Sequence, residues 1–351
     1  MKALGLMGLA LAAFGSFAGA QEPAQKETTR LNVSFFENKR WRTYPASAAN
    51  EKGIIFDDHG TLKQKRLKAP YIVQSPAELS DALDDYRSGK LSDALKKCEK
   101  LRSEYAAFRD VDGNPAMQAA LCELDCAMRL QDWKHLRDVA EKIARKMYGS
   151  PAAEQGMAAR VAYQVAESML MEDAAQLAKR YQALSRQVAK FAALDSEDGK
   201  ADAIPLRPYG WYCYCLGRMA EAQIPAGERK GSITDANRKM ANEAIDRLCQ
   251  FVACSHGSAP ELELDALLRA THLLYAMPGV AEFSNSREAM GRFDAARWSK
   301  APTDFKDAVA LAHLVLKVYD QECKDEVVTK LAPRFFNARE GEKKDGDESA
   351  D

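Results

Sequence analysis

Residues 82–101 read ALDDYRSGKLSDALKKCEKL and contain two short helical runs joined at Ser88, Gly89 and Lys90. The small residues Ala82 and Ala94 lie where the two helix backbones would approach each other most closely. On both sides of the glycine, apolar residues recur every three or four positions, as in an amphipathic helix. The stretch therefore predicts a helical hairpin.

The same turn pattern occurs twice more along the chain. Residues 89–94, 131–136 and 169–174 align without gaps, and a large apolar residue follows each of them seven positions later. These bulky residues are Leu101, Ile143 and Tyr181. Such a combination of small residues at a crossing point and large residues at the seam is typical of stacked helical hairpins.

Residues 75–335 predict a succession of helices in pairs. A capping box at residues 75–78 opens the first helix. The expected pairs are 76–88 with 91–108, 116–130 with 132–148, 152–169 with 172–190, 209–222 with 234–255, 260–277 with 286–299, and 303–320 with 322–331. Short loops between helices make antiparallel neighbours, so this region predicts an all-α array.

The first hairpin resembles the tetratricopeptide repeat (TPR), with Ala82, Tyr86, Gly89, Ala94 and Leu101 at the signature positions. The resemblance is clearest over residues 76–190. It implies a right-handed TPR-like solenoid of about six antiparallel helix hairpins, whose first helices line a concave groove. The groove residues that it implies are Leu79, Leu83, Tyr86, Arg87, Leu121, Asp125, Met128 and Arg129.

The N-terminal end predicts export. Residues 1–20 begin with Lys2, continue as an apolar run and end in Ala18-Gly19-Ala20, which is the pattern of a signal peptide cleaved after Ala20. The alternative, a membrane anchor, would need a longer apolar run. We therefore expect a periplasmic or secreted protein without a transmembrane segment after cleavage. At the other end, the charged residues 336–351 predict a disordered tail.

Residues 21–74 predict an extended N-terminal arm. Residues 54–56 and 61–63 flank the turn 57–60 and indicate a β-hairpin. The candidate contacts in this arm are Trp41, Arg42 and Tyr44, because the arm mixes aromatic and cationic side chains. Two roles are open for it: the arm covers the exposed end of the helical stack, or it binds an acidic partner or an anionic envelope polymer.

The sequence carries no catalytic signature. None of its five histidines lies in a zinc-protease motif, and His135 falls at a turn position that predicts exposure to solvent. Cys249, Cys254 and His256 lack the spacing of a zinc site. We therefore expect a protein that is not an enzyme and that needs no cofactor and no metal. The net charge of -1 gives no reason to expect nucleic acid as a partner.

The eight cysteines take a different meaning in an exported chain, because disulfide bonds persist in oxidising compartments. Cys98 is placed to meet Cys122 or Cys126 on the following helix. A second set would pair Cys213 or Cys215 with Cys249 or Cys254. The alternative is that these cysteines are small buried apolar residues.

The function that these patterns predict is a protein–protein interaction scaffold in a bacterial-type envelope, with a protein or peptide bound in the concave groove. The alternative is an envelope glycan- or peptidoglycan-binding protein. In that case Trp41, Tyr44, Trp211 and Tyr212 would be the platforms on which sugar rings stack.

Overall fold

A computed structural model describes residues 29–50, 52–68, 70–108, 111–144, 152–193, 206–286 and 295–335. The expected signal peptide at 1–20 and the expected tail at 336–351 lie outside these ranges, so both stay predictions.

The N-terminal region is a five-stranded antiparallel sheet, which is larger than the hairpin that the sequence predicts. Its spatial order is β4-β3-β2-β1-β5. The strands are β1 (Leu31–Glu37), β2 (Arg40–Asn50), β3 (Gly53–Asp58), β4 (Thr61–Lys65) and β5 (Tyr71–Val73). The predicted hairpin is present as β3 and β4, and the prediction missed the pairing of β1 with β2 and β5.

Two glycines fix the course of the third and fourth strands. Gly60 has a φ of 82°, and its N–H donates to the Asp57 carboxylate at 2.7 Å, which closes the turn. Gly53 has a φ of 137°, and a Cβ at this position would lie 2.0 Å from the carbonyl oxygen of Lys65. Only glycine therefore allows β3 to begin this close to β4.

One face of the sheet packs on the first helices. Leu31, Val33 and Phe35 of β1 and Ile54 of β3 are buried, and they share one apolar cluster with residues of the first three helices. In β1 the residues Leu31, Val33 and Phe35 alternate with residues that point to the opposite face, as the two-residue period of a strand requires.

The rest of the described chain is helical. The helices are α1 (Ala77–Arg87), α2 (Leu91–Glu104), α3 (Pro115–Arg129), α4 (Trp133–Ala144), α5 (Ala152–Met169), α6 (Ala174–Ala193), α7 (Leu206–Gln223), α8 (Ala226–Lys230), α9 (Asp235–Ser255), α10 (Pro260–Tyr275), α11 (Val280–Asn285), α12 (Ala295–Lys300), α13 (Thr303–Leu314) and α14 (Glu326–Leu331). The mostly helical class is thus confirmed, with the sheet added to it.

The hairpin at residues 82–101 forms as predicted. Gly89 has a φ of 78°, and its N–H donates to the carbonyl of Tyr86, which ends α1. Ala82 and Ala94 are fully buried between the packed helices. The start of α1 differs from the prediction: Pro76 precedes the first helical residue, and no side chain caps this helix end.

The last two predicted pairs differ more. Helix α11 ends at Asn285, and Ser286, the first residue of the helix expected at 286–299, has extended backbone angles. Helix α13 continues into a π-helical turn at Val315–Tyr319. The last helix begins later than expected, because the carboxylate of Asp325 accepts hydrogen bonds from the N–H groups of Val327 and Val328 and so caps α14.

Helices that follow one another in the chain pack together from α1 to α5, and the odd-numbered helices α1, α3, α5 and α7 also contact their neighbours in that series. Residues 122–129 of α3 and 210–217 of α7 are all buried, so both helices are covered on every side there. Helix α7 approaches α9 closely at Gly217, where a Cβ would lie 2.8 Å from Leu248 Cγ.

Among the described helices, none combines the length and the apolar character that crossing a bilayer requires.

Candidate binding site

The predicted groove residues fall into different environments. Leu79 and Met128 are 1% and 0% exposed and belong to the core, so their prediction as groove residues is wrong. Leu83 and Leu121 are half-buried and pack against the same core clusters. Arg87 is exposed and pairs with Asp84, 2.8 Å away on the preceding turn of α1.

The structure brings together three other members of the predicted set. The hydroxyl of Tyr86 on α1 donates to the carboxylate of Asp125 on α3. The guanidinium of Arg129, one helical turn beyond Asp125, lies 5.2 Å from the centre of the Tyr86 ring. Both α3 residues are buried. The first two hairpins are therefore joined by a polar contact and not separated by an open groove.

The ionisable groups of this contact are shifted by burial. Burial raises the pKa of the Asp125 carboxyl, although Arg207, the Tyr86 hydroxyl and Arg129 all favour its ionised form. Burial and the charge of Asp125 also raise the pKa of Tyr86, which stays a proton donor.

A distant carboxylate completes the contact. Arg129 donates to both oxygens of Glu261 on α10, with Nη2 2.9 Å from Oε1 and 2.9 Å from Oε2. No local pattern could indicate this pair, because the two residues are 132 positions apart. This bidentate ion pair links α3 directly to α10.

A cavity of about 200 Å³ opens beside Asp125. It lies between α3, the first turns of α7 and the C-terminal end of α9. Its lining residues are Asp125, Leu206, Arg207, Gly210, Trp211, Phe251, Cys254, Ser255, Ser258 and Ala259. Gly210 forms part of the wall, and a Cβ there would lie 3.4 Å from Cys254 Cβ.

The cavity combines aromatic walls with one pair of charges. Nε of Arg207 lies 3.8 Å from Oδ1 of Asp125, and half of the Arg207 side chain is exposed to solvent, as is most of Leu206. Pockets for whole small molecules usually measure about 300–1,000 Å³. The volume here is smaller and suits a single side chain or a group of similar size.

The aromatic platforms expected for a glycan do not form one surface. Trp211 and Tyr212 are 5% and 2% exposed, and the Tyr212 hydroxyl donates to Gln164, so neither can stack on a sugar ring. That part of the prediction is wrong.

The three arm residues lie on opposite faces of the sheet. Trp41 is 48% exposed on the outer face, with its ring 5.4 Å from that of Phe36. In the β1–β2 register Arg42 is opposite Phe35, and the Tyr44 ring contacts the Phe35 ring, which places both on the other face. They are not a single contact patch, and of these three residues only Trp41 lies on the outer face, beside the equally exposed Phe36 ring.

All eight cysteines are free thiols in this structure. Cys98, Cys122 and Cys126 lie together in one buried cluster between α2 and α3. In the second predicted set, burial and the neighbouring Cys254 raise the pKa of Cys213, whose Sγ lies 3.8 Å from Gln250 Oε1. Cys215 Sγ lies 3.6 Å from Met219 Sδ on its own helix. Cys249 is near Asp246 and Asp307, and burial raises its pKa to about 11. Cys254 lines the cavity.

A second buried carboxylate lies near the thiol cluster. Glu123 on α3 is fully buried and accepts hydrogen bonds from Arg102 on α2, with Nε at 2.6 Å, and from the His135 ring on α4, at 3.0 Å. The expectation that His135 faces solvent is therefore wrong. These contacts tie three consecutive helices together through one carboxylate.

No group of three or more histidine, cysteine, aspartate or glutamate side chains in the described part of the chain is arranged to hold a metal ion.

No family model matches this chain, and no curated protein or solved structure matches it either.

Proposed function

We propose that this protein is an exported, TPR-like helical scaffold that binds a protein or peptide partner and acts by binding, not by catalysis. The partner inserts one side chain into the cavity between α3, α7 and α9. The observation that carries the proposal is this cavity, which has the size of one side chain and has charged and apolar residues at its entrance.

The packing of the helices supports a repeat-based scaffold. Contacts of α1 with α3, α3 with α5 and α5 with α7 are those expected when successive hairpins stack with the same hand. The right-handed TPR-like solenoid and the periplasmic or secreted location belong to the proposal. The proposed partner-binding surface is the cavity alone and not a longer concave groove, because residues 122–129 of α3 are buried.

The entrance suggests how a partner is oriented. Arg207 is half-exposed and Asp125 is buried behind it, so an acidic group on the partner meets the arginine first. Trp211 and Phe251 then supply the buried apolar surface that gives a hot spot most of its affinity.

A pair of tryptophan substitutions tests this placement. Ser258→Trp places a large ring at the cavity, where Ser258 is an exposed lining residue. Ala253→Trp is the matched control, because Ala253 is exposed on α9 and does not line the cavity. A photoreactive residue at Leu206 would capture the partner in intact cells, followed by mass spectrometry. We expect capture to be lost with Ser258→Trp and kept with Ala253→Trp. Equal capture in two folded variants would contradict the proposal.

Glycan binding is a second candidate, and the exposed ring of Trp41 favours it. The Phe36 ring beside it is equally exposed, and Thr43 on the same sheet face is uncharged and exposed. The test is sedimentation with purified peptidoglycan. Trp41→Ala should abolish co-sedimentation, whereas Val318→Ala, which removes an exposed apolar side chain outside the sheet, should not. Equal co-sedimentation of the wild type and both variants would remove this candidate.

A further inference from the structure

Three cysteine side chains converge where α2 packs on α3. Cys98 comes from α2, and Cys122 and Cys126 come from successive turns of α3. Cys122 interacts with the thiols of both Cys126 and Cys98. Cys98 and Cys126 are fully buried, and Cys122 keeps an exposed fraction of 7%. Cys122 is thus the central thiol of the three and the least buried of them.

Helix geometry decides which two thiols can join. Cβ atoms four residues apart on one helix are about 5–6 Å from each other, whereas a disulfide needs about 3.5–4.5 Å. Cys122 and Cys126 therefore cannot be bridged without distorting α3. Cys98 interacts directly with Cys122, whereas Cys98 acts on Cys126 only through its charge. The pair that can join is Cys98 with Cys122, with Cys126 left as a hydrogen-bond donor.

The surrounding charges favour a thiolate at Cys122. Hydrogen bonds from Cys126 and Cys98 lower the pKa of Cys122, and Arg207 and Arg129 add to this effect against the cost of burial. The pKa values of Cys98 and Cys126 rise correspondingly, since both donate to Cys122. The acidic groups facing the cluster are Asp125, next to Cys126, and Glu123, which acts on Cys98.

We propose that Cys122 and Cys98 form a redox-active pair that accepts oxidising equivalents from a disulfide-bearing thiol compound. The Cys122 thiolate attacks one sulfur of the external disulfide and forms a mixed disulfide, and one external thiolate leaves. The Cys98 thiol then loses its proton and attacks the Cys122 sulfur, which releases the second external thiol. In the balance, two protein thiols and one external disulfide become one protein disulfide and two external thiols.

The consequence is a covalent bond between α2 and α3 that forms only under oxidising conditions. It would join the two helices next to the Tyr86–Asp125 contact and near Arg207 at the cavity entrance. This inference is independent of partner binding, because it concerns the chain's own thiols.

Peptide mapping tests the pair directly. The full-length chain is reduced, desalted without oxygen, exposed to an excess of oxidised glutathione, quenched in acid and alkylated. Digestion and mass spectrometry without reductant then identify linked peptides. We expect a Cys98–Cys122 link, while Cys215, which has a methionine sulfur and no other thiol beside it, stays alkylated as the internal reference.

Two variants separate the roles of the three thiols. Cys126→Ala should keep the link but require higher pH for the same rate, since the thiolate loses a hydrogen-bond donor. Cys122→Ala should abolish both the link and any glutathione adduct on Cys98 or Cys126. Far-UV circular dichroism checks that both variants fold.

Three results would overturn the proposal. These are full alkylation of all three cluster thiols in the treated wild type, a Cys98–Cys126 link in place of the expected one, or a stable glutathione adduct on Cys122 with no link. All three are read from the wild type alone, so the decision does not depend on any variant folding.

Discussion

The fully buried carboxylate of Glu123 allows a quantitative test of how the first helices are held together. The change is Arg102→Met, which removes the guanidinium that donates to Glu123 from 2.6 Å and 3.3 Å. The Glu123 carboxylate has no exposed surface that water could reach. Without Arg102, the half-buried His135 is its remaining ion-pair partner among the described residues. Removing one member of a buried ion pair usually costs about 3–5 kcal/mol. We expect the free energy of unfolding to fall by about 3 kcal/mol or more.

The assay is urea unfolding at neutral pH, followed by circular dichroism. Arg87→Met is the matched control, because Arg87 forms an ion pair of 2.8 Å on the exposed surface of α1. Such exposed pairs contribute about 0–1 kcal/mol, so this control should change the midpoint little. The double variant Arg102→Met with Glu123→Leu replaces both charges by apolar groups and should recover most of the loss.

Two outcomes would refute the reasoning. One is a loss for Arg102→Met no larger than that for Arg87→Met. The other is a double variant that is no more stable than Arg102→Met alone, since the cost is attributed to an unpaired buried charge and not to lost packing.

Further predictions concern burial, close packing and the sheet. The raised pKa of Asp125 in the folded state means that the folded protein binds its proton more tightly, so stability falls as pH rises from the ordinary pKa of a carboxyl to the raised one. Asp125→Asn should remove this slope in urea midpoints measured from acid to neutral pH; an unchanged slope would contradict the assignment. Gly217→Ala should cost about 1–3 kcal/mol because its Cβ would meet Leu248, whereas Gly156→Ala, which has open space in α5, should add about 0.5–1 kcal/mol; similar midpoints for the two would argue against close packing at α7. Deleting residues 21–74 should lower the melting temperature markedly, because one face of the sheet is buried on the first helices; an unchanged melting temperature would count against this role.

Local signals in the sequence were enough for the elements that depend on neighbouring residues. The α1–α2 hairpin follows from Gly89, Ala82 and Ala94, and the β3–β4 hairpin follows from the turn before Gly60. Both elements fold around contacts between residues close in the chain. Their boundaries could therefore be predicted to within a few residues.

Long-range pairing could not be predicted in the same way. The strand β1 pairs with β5, about forty residues later, through main-chain bonds that carry no residue-specific signal. The burial of α3 on every side was equally hidden. Asp125 and Arg129 are charged and predict an exposed helix face, and only the positions of Tyr86 and Glu261 in space explain why both are buried.

The ion pair between Arg129 and Glu261 bears on how this protein could be lengthened or shortened. In an open repeat array each unit touches only its neighbours, so units can be added or removed and the stability changes in steps. Here the second hairpin is bonded to the first helix of the fifth predicted pair. Removing one of the intervening hairpins would move Glu261 away from Arg129. The shortened chain would then lose this ion pair as well as the contacts of the deleted hairpin with its neighbours. Unlike an open array, this chain is expected to unfold as one cooperative unit.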